Sequence, residues 1–110
     1  MFITRLNKDE MISARGGPIR GQRIPLPESA GAPFRCVFGN IRAGQSGSED
    51  GHPAAEIYLF LEGHAWLTIG DQQYDVQPGD VYFIPPNLPH GVDNRAGITD
   101  VTTLALFWET

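Results

Sequence analysis

Three residues with the side chains of a metal site follow one another along the chain: His52, Glu56 and His90. Asp50 lies two positions before His52. If residues 50–56 are extended, Asp50, His52 and Glu56 share parity and face one interior. Imidazole and carboxylate donors together suit a divalent Fe, Mn, Ni, Co or Zn ion. A His-carboxylate-His set with open coordination positions is the kind used to activate oxygen or a substrate. Glu56 would otherwise point a charge into an interior dense with Tyr, Phe and Leu, which is costly without a partner. Tyr58 and Phe60 follow at the same parity, so both rings are expected toward the same cavity. Arg35 and Arg42 precede this group and suit bidentate recognition of a substrate carboxylate. The single cysteine, Cys36, excludes an internal disulfide and a multi-cysteine zinc site. It reads as inert strand packing, and no Ser-His-Asp or Cys-His grouping is present.

The elements that must carry these residues are short strands. The 110 residues allow one domain, and 13 Gly with 9 Pro supply many turns. Hydrophobic residues make up 41%, enough for a packed core. Strands are predicted near 34–41, 56–61, 65–69, 73–76, 81–84, 91–92 and 101–108, with turn residues between them. Glu62-Gly63 and Pro78-Gly79-Asp80 read as tight turns. Asn7 before Asp9 and Glu10 predicts a helical turn or two. Residues 15–31 are crowded with Gly and Pro and read as an extended arm outside the core. The chain thus divides into an arm, 1–33, and a barrel or sandwich, 34–110. On 56–61, Glu56, Tyr58 and Phe60 take one face and Ile57, Leu59 and Leu61 the other. Both faces are largely apolar, so the outer one needs a cover. The arm or a second copy could supply it, and a homodimer is expected.

Charge narrows the partners. Residues 1–42 hold seven basic and three acidic side chains, and residues 43–110 hold one basic and ten acidic. An acidic body argues against binding a nucleic-acid backbone. Arg15, Arg20 and Arg23 are expected to lie against acidic surface rather than to form an anion site. His64 follows a turn and is expected to be exposed or interfacial. No apolar run nears the roughly 20 residues of a membrane helix. The first residues lack the apolar region of a signal peptide, so the cytoplasm is the expected compartment.

Two spaced motifs resemble those of the cupin superfamily, in its small single-domain form. The first runs Gly44, five residues, Asp50-Gly51-His52, three residues, Glu56, six residues, Gly63. The second runs Gly79, five residues, Pro85-Pro86-Asn87, two residues, His90, three residues, Asn94. Asp50 stands where the family has its first histidine, and Asn87 where it usually has glycine. The resemblance implies an all-β fold: a single cupin barrel, a double-stranded β-helix or jelly roll, with an N-terminal arm. It implies metal ligands at His52, Glu56 and His90. Asp50 then either joins the shell, stays outside it, or marks a vestigial site. In some cupin lyases a tyrosine near the metal resembles Tyr58 and acts as general base; the alternative is a ring that only fills the barrel. The expected function is a small metal-dependent enzyme for a small polar, anionic metabolite, of dioxygenase, isomerase or lyase type. The alternatives are a non-enzymatic metabolite- or sugar-binding module with a structural or absent metal, and a sensor half of a regulator.

Overall fold

The structure is a computed structural model and describes residues 4–13, 17–49 and 51–109. The described residues form ten strands: β1 (Ile12–Ser13), β2 (Ile19–Ile24), β3 (Arg35–Ile41), β4 (Ser46–Glu49), β5 (Ala55–Glu62), β6 (Ala65–Ile69), β7 (Gln72–Val76), β8 (Val81–Ile84), β9 (His90–Asp93) and β10 (Val101–Trp108). They make a six-stranded sheet in the order β1-β2-β3-β10-β5-β8 and a four-stranded sheet in the order β4-β9-β6-β7. Every paired strand is antiparallel. This is the all-β barrel of the jelly-roll kind. No helix among the described residues is long and apolar enough to cross a membrane.

The period-two pattern of β5 sets the layers. Phe60 is 1% exposed and packs in the core with Leu67, Val76 and Val101. Glu56 and Tyr58, at the same parity, also face inward and line a cavity. Ile57 and Leu59 take the outer face, where they pair with Leu106 and Leu104 of β10 and with Phe83 and Val81 of β8. Val81 and Phe83 are 60% and 57% exposed. Phe83 stacks loosely on Trp108, with ring centroids 6.4 Å apart. The outer face is therefore apolar across three neighbouring strands.

The N-terminal segment departs in part from expectation. Residues 19–24, expected outside the core, are strand β2, paired with β3 from Ile19↔Ile41 to Ile24↔Cys36. Two glycines allow it: Gly21 faces Gly39, so the strands meet without a clash of side chains on the inner face. The predicted turn is a 3-10 turn at Lys8–Glu10, with the Asn7 side chain accepting from the Asp9 N–H. That segment is tied to the polar end of the outer face. Asn7 N–H donates to Gln22 Oε1 at 2.7 Å, and Gln22 Nε2 donates to the Arg5 carbonyl at 2.9 Å. Lys8 meets Glu62 at 2.5 Å and Asp100 at 3.6 Å. Arg20 donates to Asn40 and lies 3.9 Å from Asp100. Lys8 and Arg20 thus rest on acidic side chains, as expected for Arg20; Arg15 lies outside the described residues.

Candidate metal centre

Local chain geometry brings three donors together. His52 lies in the loop before β5, Glu56 is the second residue of β5, and His90 opens β9 in the other sheet. Their ligand atoms all lie within 4.8 Å of one another. His52 Nε2 is 2.5 Å from Glu56 Oε1, and His90 Nε2 is 3.6 Å from the same oxygen. Glu56 and His90 are buried, and the His52 side chain keeps 28% of its exposure.

The two loops behind the histidines are fastened to each other. The Asn87 N–H donates to the His52 carbonyl at 2.7 Å. Asn87 adopts φ 65°, a left-handed conformation that asparagine tolerates. Gly51 sits so close to Asn87 that an added Cβ would lie 2.2 Å from the Asn87 carbonyl oxygen. Only glycine permits that approach. On the same loop, the Leu88 carbonyl accepts from His90 Nδ1 at 2.9 Å. A carbonyl can only accept, so Nδ1 carries the proton and the neutral ring keeps its lone pair on Nε2. That nitrogen faces Glu56. An imidazole oriented through its second nitrogen is the usual arrangement for a metal ligand.

The donors fit a divalent ion. Two imidazoles and one carboxylate suit Fe, Mn, Co, Ni or Zn and leave coordination positions over. A buried carboxylate facing two imidazoles is also better balanced with a cation among them than without one.

The centre opens on a cavity of about 350 Å³ with a mainly apolar wall that includes Val37, Ile41, Val101 and Ala105. Tyr58 lines this cavity, and its ring centroid lies 6.0 Å from that of His90. Arg35 lines it as well, with its guanidinium carbon 4.6 Å above the Phe107 ring. Two expected binding residues lie elsewhere. Phe60 shares the parity of Glu56, but its side chain is sealed between the sheets and is not in the cavity wall. Arg42 follows the end of β3, is exposed, and does not line the cavity. Asp50 lies outside the described residues. His64 is exposed as expected and pairs with Asp75. Burial pushes the Cys36 thiol up, in keeping with an unreactive side chain.

Sequence reasoning missed Thr103 and Glu109, which both line the cavity. The alternation on β10 carried the signal. Thr103, Ala105 and Phe107 share the inner face, and Glu109 continues their parity past the strand.

Comparison with known proteins agrees with this architecture. The family model of the cupin domain matches residues 37–107. Among solved structures, a protein from Photorhabdus luminescens superposes with a TM-score of 0.89 at 23% identity, covering 100% of this chain and 89% of that one. A Cupin 2 conserved barrel domain protein from Salinispora arenicola gives 0.85 at 26% identity, covering 100% and 90%. A predicted oxalate decarboxylase from Thermotoga maritima gives 0.76 at 25% identity, covering 92% and 91%. An uncharacterised protein of Methanocaldococcus jannaschii is 37% identical over 47 residues, which span 43% of this chain but only 38% of that protein.

Proposed function

The chain belongs to the cupin domain family, and on that premise we propose that it is a small metal-dependent enzyme acting on a small polar, anionic metabolite. The reaction is of dioxygenase, isomerase or lyase type. The observation that carries this reading is the convergence of His52, Glu56 and His90, two of which, His52 and Glu56, line a cavity. A divalent ion held there would supply Lewis-acid polarisation of a chelating substrate oxygen. The chain's own groups do the rest. Leu88 holds the His90 ring in the tautomer that presents Nε2. Tyr58, in the same cavity, offers a phenolic oxygen to take or return a proton. The mainly apolar wall lowers the polarity around the reacting end. Arg35 attracts the substrate's negative charge. Asp50, next to Gly51 and His52 in the chain, is proposed as a fourth donor.

The apolar outer face of β5, β8 and β10 is proposed to be covered by a second copy of the chain. A second reading, a metabolite-binding module without catalysis, is favoured by the largely apolar cavity wall with few polar groups.

Metal analysis of protein purified without chelators tests the enzyme reading first. The expected result is uptake of about one Mn, Fe, Co, Ni or Zn ion per chain. A chain that takes up none of the five overturns the enzyme reading and leaves the binding module.

A further inference from the structure

The cavity mouth carries a pair of opposite charges that the metal centre does not use. Arg35 and Glu109 both line the cavity, and both are exposed. Neither forms an ion pair with the other among the described residues. Register places them close together. Arg35 pairs directly with Phe107 across β3 and β10, and Glu109 lies two residues beyond Phe107 at the same parity. The two are diagonal neighbours, with backbones about 7–8 Å apart. The guanidinium meanwhile lies over the Phe107 ring, 4.6 Å from its centroid. That cation–π contact occupies the face of the Phe107 ring and leaves guanidinium N–H groups to bind something else.

We infer that this mouth takes the head of an α-amino acid, its carboxylate on Arg35 and its ammonium on Glu109. A single ligand carrying both charges on one carbon satisfies both groups. A simple acid would leave Glu109 facing like charge, and a simple amine would leave Arg35 so. The same register row continues from Arg35 through Phe107 to Glu56. Two strand spacings, about 10 Å, separate the Arg35 and Glu56 backbones, and the guanidinium over Phe107 shortens that reach. A side chain of about two or three carbons ending in an oxygen group would then meet the His52–Glu56–His90 cluster. This last part rests on the functional reading above; recognition of the head group does not.

The test is calorimetric titration of the full chain, supplied with zinc, with two matched sets. L-glutamate is compared with glutarate, which lacks the ammonium, and with 4-aminobutyrate, which lacks the α-carboxylate. L-aspartate, succinate and β-alanine form the shorter set. In at least one set the amino acid is expected to bind about three- to tenfold more tightly than either partner. Arg35→Gln should remove the advantage over the amine, and Glu109→Gln the advantage over the diacid. Zinc uptake should stay unchanged in both variants, since neither residue belongs to the cluster. The inference is overturned if a diacid or amine matches its amino acid in both sets, or if the advantages survive both substitutions. It is also overturned if nothing binds up to about 10 mM. Failure to take up zinc and each of Mn, Fe, Co and Ni sinks the functional reading, while the head-group comparison is still read on the same chain.

Discussion

Strands β5 and β10 carry opposite chemistry on their two faces. Inward stand Glu56, Tyr58, Thr103 and Phe107, which line the cavity. Outward stand Ile57, Leu59, Leu104 and Leu106, paired across the two strands. A sheet with one wet face normally buries its apolar side and shows its polar side to water. Here a buried carboxylate, Glu56, is inside and an apolar face is outside. The inner face therefore needs a counter-charge, and the outer face needs a protein cover. The pleat makes the two demands inseparable, because a slip of one residue would exchange the faces.

The comparison breaks first at the inner face. The double variant His52→Ala/His90→Ala removes two of three donors, and metal affinity should fall by more than about a hundredfold, read by calorimetry or metal analysis. Unchanged occupancy would sink the ligand assignment. Gly51→Ala tests the fastening of the two loops. The new Cβ would meet the Asn87 backbone, so the histidines must separate. Metal affinity should drop about tenfold or more, and stability by about 1–3 kcal/mol, seen as a lower melting temperature. If both values stay at wild type, the loops are held apart by something else.

The outer face breaks separately. Phe83→Glu should weaken self-association about thirtyfold or more in sedimentation and leave metal uptake intact. A wild-type chain that sediments as a monomer at all concentrations removes the proposed cover. The smallest effect concerns the polar end of that face. The hydrogen bond from Lys8 holds the Glu62 carboxyl below its ordinary 4.5, with Thr102 adding to it. The same bond raises the Lys8 amine above its ordinary 10.5. The contribution of Glu62 is present above 4.5 and fades as pH falls through its lowered value. That of Lys8 is present below 10.5 and fades as pH climbs through its raised value. Both groups are more than a third exposed, so Lys8→Ala should cost under about 1 kcal/mol near neutral pH. In strong acid or strong base the difference from wild type should vanish. A constant gap across pH would assign the effect to packing alone.

The site was more legible than its surroundings. Strand parity put Glu56 and Tyr58 on one face, with His52 at the same parity, and the resemblance to the cupin motifs added His90. Phe60 shows the limit of parity, which gives the face of a strand but not how far along it the cavity extends. Arg42 shows another, since alternation gives no direction past the end of β3. Strand β2 was hidden because Gly21, Gln22 and Arg23 have low strand propensity, and its place comes from pairing with β3. Glu109 was missed because it lies beyond the last strand residue, and only β10 carries it to the cavity wall.

The contact between the loops of Gly51 and Asn87 also bears on the lifetime of the fold. His52, in the loop before β5, and His90, on β9 of the four-stranded sheet, meet only when the barrel is closed. An ion that bound both would therefore bind the folded chain more tightly than the unfolded one. Each tenfold rise in free ion above the dissociation constant would then add up to about 1.4 kcal/mol to folding stability. The supply of metal around the molecule would set how long a folded copy survives proteolysis, as well as whether it works.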